Sequence, residues 1–306
     1  MKKYLKTIIL LWISHSCFGQ TAISEGDSLR QKGELDQAII AYKTIYKKDQ
    51  NNRKNVYNLA CAYALTFQRD SAYHYLNIAL QNDSSLWALA DTDLYALTQD
   101  PRWLNIETQQ MEKFQKVNGK LKQPEYTKKL LHIIMKDQVL DYYIEQAKKF
   151  YSEQGYIPQW YYPLAYMKQK TAQDNYTDME ELIKTYGWPK YSNVGQLAAD
   201  APLLVINHHE SDSIRKKYLP VIKKACLDGE GSCVEYAKIQ DRILVNDNQP
   251  QIYGMQFRYN AERSLEPFPI LEPEYVDQRR KKISLEPLKV YLKRKINYDW
   301  EIVQRK

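Results

Sequence analysis

Apolar residues recur at helical spacing over most of this chain. Across 126–152, Leu131, Ile134, Met135, Val139, Tyr143, Ala147 and Phe150 fall on one helical face, which predicts one long amphipathic helix. GELDQAIIAYKTIY and RDSAYHYLNIAL carry the same period earlier in the chain. Further helices are predicted around 178–186, 192–201, 203–209, 213–227 and 234–242. The stretch 274–296 is also helical, entered through Pro267, Pro269 and Pro273. ILVNDNQPQIYGMQF breaks the pattern and predicts a β-hairpin near 243–258, turning at 246–248. The expected fold class is therefore mainly α, with one β-hairpin in an α-rich second domain.

Residues 24–84 contain an internal repeat. Gly26 aligns with Ala60, Ala38 with Ala72 and Tyr42 with Leu76, each at an offset of 34. Small residues at such points let helices approach closely, and larger ones fill the seam between hairpins. The pattern resembles the tetratricopeptide repeat, which implies stacked helical hairpins and a protein or peptide partner. Two units are short for such a stack. Leu94, Leu97, Trp103, Leu104 and Ile106 are expected to complete it, after a break at Asp100-Pro101. The polar run KVNGKLKQPE reads as a linker at 116–125. The expected organisation is a signal peptide at 1–19, a helical module at 20–115, the linker, and a second domain at 126–306.

The first residues supply the signal: Lys2, Lys3 and Lys6, then a short apolar core, then Gly19-Gln20 as the expected cleavage point. That core is too short to span a bilayer, so no transmembrane segment is expected after cleavage. The rival reading is a lipoprotein anchored at Cys17, though Ser14, His15 and Ser16 lack the usual leucine. Either way the expected location is periplasmic or secreted. Cleavage removes three lysines and lowers the net charge from +7 to about +4, too little to point to nucleic acid. The basic run from Arg279 to Lys295 reads as a solvated helix face. Cys61 in LACAY reads as a small core hydrophobe. Cys226 and Cys233 flank LDGEGS, where a glycine-rich break could bring the sulfurs together in an oxidising compartment, whereas one continuous helix would hold them about 10 Å apart.

From about 125 to 295 the chain shows a series of short motifs in order. They are Asp137-Gln138, Asp174-Asn175, Gly187-Trp188-Pro189 with Val194-Gly195, and His208. Asp241-Arg242, Gln251, Tyr253-Gly254, Gln256, Arg279-Arg280 and Pro287-Leu288 with Tyr291 follow. This series resembles a bacterial domain family of unknown function whose signature runs DQxxR, DN, GWP, QHAD, TDR and QxYGTQ. The resemblance implies kinship of fold and carries no activity. Asp141, Asn207, Glu210, Gln240 and Met255 depart from the pattern.

The candidate chemistry lies between Gly187 and Gln256. His208 ends an apolar run and is the candidate general acid/base, with Asp241 as its orienter and Arg242 as anion stabiliser. The structural alternative is a histidine that holds a helix end. Asn207, Gln251, Tyr253 and Gln256 are candidate ligand-binding residues for a small molecule. On a strand, Gln251 and Tyr253 would share a face, with Gln256 opposite unless Gly254 marks a bulge. Asp241-Arg242 reads alternatively as an ion pair closing the hairpin. His208 and Asp212 are four apart and would share one face of a continuous helix, but no HExxH-type motif accompanies them, so no metal is expected. No nucleophile motif, phosphate loop or dinucleotide fingerprint is present, so no cofactor is expected. Trp160, Tyr161, Tyr162 and Tyr166 read as a packed aromatic cluster rather than a sugar platform. The leading expectation is an exported envelope protein with a binding or scaffold role. The alternative is an envelope hydrolase or lyase using His208.

Overall fold

A computed structural model describes residues 24–305. The expected signal region, with Cys17 and Gly19-Gln20, lies outside the described residues. The chain is mainly helical, with one two-stranded antiparallel pair. Among the described residues no helix is long and apolar enough to cross a membrane. The chain forms two compact units that divide between Val139 and Leu140.

The first unit begins with α1 (Glu25–Gln31), α2 (Leu35–Lys48), α3 (Arg53–Leu65) and α4 (Arg69–Leu80). Ser24 caps α1 by accepting from the Asp27 N–H, and Asn52 caps α3 by accepting from Asn55. The repeat positions meet in the core: Ala38, Ala60, Ala72, Tyr42 and Leu76 are all buried. Gly26 sits against the Tyr42 ring, where a Cβ would come within 2.4 Å of a ring carbon. That contact explains why glycine stands where the second unit of the repeat has alanine. Two 3-10 helices, Trp87–Leu89 and Thr92–Gln99, precede α5 (Trp103–Asn118) and α6 (Pro124–Gln138). Because α6 packs on both 3-10 helices, it joins the first unit. The polar stretch at 116–125 thus separates two helices of one unit, and the division falls one helix later.

The second unit opens with α7 (Asp141–Gln154) and α8 (Tyr161–Tyr186). The single helix expected over 126–152 is therefore two, interrupted at Val139-Leu140. Pro163 falls in the first turn of α8, where a missing N–H costs no intrahelical bond, so the helix begins well before 178. Next come α9 (Tyr191–Val194) and α10 (Gln196–Ala199), separated by Gly195. They lead into α11 (Ala201–His208), α12 (Asp212–Leu227) and α13 (Cys233–Asn246). Cys226 and Cys233 form a disulfide across the α12–α13 turn, with Cα atoms 4.8 Å apart. The GEG break makes the approach that a continuous helix would forbid.

The hairpin is not where the alternation placed it. Residues 243–246 continue α13, because Ile239 and Ile243, four apart, bury the same helical face. The strands are β1 (Phe257–Tyr259) and β2 (Leu265–Pro267), paired with Phe257 opposite Pro267 and Tyr259 opposite Leu265. The unit continues through α14 (Val276–Lys282) and α15 (Leu288–Ile296), so the helix expected over 274–296 is also divided. Between α13 and β1, residues 247–256 form an irregular turn rather than a strand.

Candidate functional site

α13 organises two polar centres from adjacent residues. Asp241 and Arg242 are both buried, but neighbours on a helix point about 100° apart. They serve different structures and do not form the ion pair considered from the sequence.

Asp241 holds the 252–255 turn. Its Oδ1 accepts from the Ile252 N–H at 2.8 Å and the Tyr253 N–H at 3.1 Å, and its Oδ2 accepts from the Met255 N–H at 3.0 Å. Burial pushes this carboxyl up to about 6, against the opposing pull of those three N–H groups and the Arg280 charge. Around it the backbone is bound by side chains in every direction. Gln251 accepts from the Gln256 N–H at 2.8 Å and donates to the Gln256 and Phe268 carbonyls at 3.1 and 2.8 Å. Gln256 donates to the Lys238 carbonyl at 2.9 Å. Arg280, fully buried, donates to the Tyr253 and Glu286 carbonyls and lies over the Tyr291 ring. Arg279 donates to the Ile252 carbonyl at 3.1 Å. Gly254 has φ +76°, and a Cβ there would come 2.6 Å from Leu288. The Tyr253 ring meets Tyr236 edge-on at 6.0 Å. Of the expected ligand residues, Gln251, Tyr253 and Gln256 thus gather at one place, and the two glutamines bind backbone there.

The second centre is the carboxyl end of α11. The Asn207 carbonyl accepts from Arg242 at 2.7 Å and from Arg215 at 2.9 Å. Arg215 also bonds the His209 carbonyl and pairs with Asp212 at 2.6 Å. Two guanidiniums complement the partial negative charge of a helix carboxyl end. Burial, then the Arg215 charge, pushes Arg242 down to about 9. His208 is the last residue of α11 and is half-buried. His209 accepts from the Ser211 N–H, packs on Tyr176 and is pushed down by burial and then by Arg215. The structure therefore gathers Asn207, His208 and Arg242 at one corner and places Asp241 with the turn. The one-face relation of His208 and Asp212 does not form, because α11 ends at His208 and a new helix starts at Asp212.

Two other expectations change. Trp160, Tyr162 and Tyr166 are exposed rather than packed. In the first unit Cys61, Asp91 and Asp93 offer ligand atoms within 4.8 Å of one another. Arg30 pairs with Asp93 at 2.6 Å, Tyr57 donates to Asp91 at 2.8 Å, and burial pushes the Cys61 thiol well up, so both acids of the cluster already have partners within the protein.

A family model matches residues 124–300, more than half of the chain. The chain belongs to DUF6624, a family of unknown function. No curated protein and no solved structure gives a significant match. The DUF6624 region includes α6 and the whole of both centres. In it, Asp241, Gln251, Gln256 and Arg280 hold the turn, while Arg242 and Asn207 meet at the end of α11. Arg215 was missed from the sequence because a lone arginine in a polar helix looks solvated. Its one signal was its place a single turn into the helix that follows His208.

Proposed function

We propose that this DUF6624 protein is an exported binding protein of the cell envelope. Its tetratricopeptide-like helices take a protein or peptide partner, and its second unit holds a small ligand beside the end of α11. The observation that carries this reading is the polar rim shared by α1, α3 and the 3-10 helix Thr92–Gln99. Arg30 and Asp93 are paired there with about a quarter of each side chain exposed, and Lys54 stands mostly exposed against Asp27. Charged side chains held by neighbours and open to solvent suit recognition of a polar chain. The Cys226–Cys233 disulfide supports export, since such bonds persist in oxidising compartments. Binding is favoured over acid/base catalysis because Asp241 accepts from three backbone N–H groups of the 252–255 turn, which is the role of a turn anchor rather than of a histidine's orienter.

Site-specific photo-crosslinking in living cells tests the reading. A crosslinker at position 54 of the intact chain is expected to trap a discrete partner. One at Val290, exposed on α15, is expected to trap none, and Arg30→Glu should abolish the adduct at 54. Equal adducts at both positions, or none at 54, would refute the partner surface.

A further inference from the structure

The helical hairpin of α7 and α8 holds large apolar side chains in water. Tyr142 and Tyr143 of α7 are exposed, as are Trp160, just before α8, and Tyr162, Tyr166 and Met167 within it. Their exposure runs from 38% at Tyr142 to 65% at Tyr166. The Lys168 ammonium pairs with the Asp141 carboxylate at 2.8 Å, which sets the first turn of α7 beside that part of α8. Tyr142 and Tyr143 therefore stand alongside Tyr166 and Met167. Tyr162 and Tyr166, four apart, lie one above the other on the solvent face of α8. Apolar area gathered in this way marks a surface that something covers.

The charges on the same hairpin decide what fits it. Between 141 and 174 the chain has four lysines and four acids. Each lysine has an acid of its own: Lys148 with Glu145, Lys149 with Glu153 at 4.0 Å, Lys168 with Asp141, and Lys170 with Asp174 at 3.0 Å. No lysine of the hairpin is left over for an anionic surface. A face without net charge also does not repel its own copy. Area points the same way. Six side chains, each about half exposed, present roughly 600 Å². A dimer of ordinary size covers about 800 Å² per partner, and about 65% of a homodimer interface is apolar. The hairpin supplies that apolar share by itself. A sugar stacked on one or two rings would leave most of it in water.

We propose that this face is a two-fold interface with a second copy of the chain, in which α7 and α8 of each copy pack against α7 and α8 of the other. Across a two-fold axis the same patch meets itself, so apolar area finds apolar area and the paired charges fall at the rim. Tyr, Trp and Met, the residue types that interfaces favour, then fill the seam between four helices. This face lies on the second unit and owes nothing to the partner surface of the first.

Sedimentation velocity of the intact chain from about 1 to about 100 µM reads the association directly. The wild type should pass from monomer to dimer within that range. Tyr162→Glu and Tyr166→Glu put a charge at exposed positions, so the fold is kept and the dissociation constant should rise at least about tenfold. Tyr166→Phe should keep the dimer, and so should Val290→Glu, an exposed position on α15. Hydrogen exchange of the 160–167 amides gives a second readout that needs no variant: it should slow as the wild-type concentration rises. A wild type that stays monomeric throughout would overturn the proposal, as would a dimer that survives both glutamate substitutions. Slower exchange of those amides in a monomer given an N-acetylglucosamine oligomer, or phosphatidylglycerol vesicles, would assign the face to a sugar or a lipid and overturn it equally.

Discussion

Two aspartates of the second unit, Asp241 buried and Asp200 half-buried, differ in what surrounds them. Asp241 and Asp200 are both pushed up, to about 6 and about 7, and burial is the largest cause for each. Three backbone N–H groups surround Asp241, whereas Asp200, at the start of α11, accepts from the Tyr191 hydroxyl and is raised by the Glu235 charge. The shift alone therefore says little about what the residue does. The donors around it decide whether the charged form is a structural requirement or a burden. At Asp241 the carboxylate organises a turn. At Asp200 burial and the Glu235 charge make the charged form the burden.

The sharpest way to break this comparison is to make the same change at both positions. Asp241→Asn replaces an acceptor with an amide that must turn a donor toward at least one of three N–H groups. Stranding buried N–H groups in this way should cost about 3 kcal/mol. Urea unfolding at pH 8 should show it as a lower midpoint with an unchanged slope. Asp200→Asn at the same pH should move the midpoint the other way. Two substitutions with the same sign would mean that burial alone, rather than the donor inventory, governs both sites.

These roles were only partly legible in the sequence. The apolar period announced a helical chain, and the 34-residue offset placed Ala38, Ala60, Ala72, Tyr42 and Leu76, all of which are buried. The turn motifs were visible as letters, but their purpose was not. Gln251, Tyr253 and Gln256 looked like strand positions because alternation over a few residues cannot be told from an irregular turn bound by distant side chains. What binds that turn is Asp241, 11 to 14 residues earlier, and Arg280, 27 residues after Tyr253. Helix breaks at Val139 and Gly195 were missed because the apolar period continues across them.

The next effect in size concerns the disulfide, which closes the turn beside the Asp200 end of α13 and lies far along the helix from Asp241. Replacing both Cys226 and Cys233 with serine releases a loop of separation 7, worth about 2 kcal/mol in the unfolded-chain entropy model. The loss should be uniform in pH by urea unfolding, because no titrating group is removed. A loss that appears only above neutral pH would mean that the disulfide acts through Asp200 instead.

The smallest effect separates two roles of Ser232 at that same end. Ser232 accepts from the Glu235 N–H at 3.2 Å and caps α13. Ser232→Ala removes the cap and should cost about 1 kcal/mol, whereas Ser232→Gly should cost only a few tenths. The hydroxyl also faces Tyr191, so the two roles must be told apart. If it only caps, alanine lowers the urea midpoint equally at pH 5 and pH 8. If its hydroxyl also acts on Tyr191 and through it on Asp200, the loss should differ between pH 5 and pH 8. The glycine variant serves as the control, since it loses the same hydroxyl at little helical cost. A pH-dependent loss common to alanine and glycine would tie Ser232 to Asp200 through Tyr191, and a stability loss confined to alanine would leave Ser232 a helix cap.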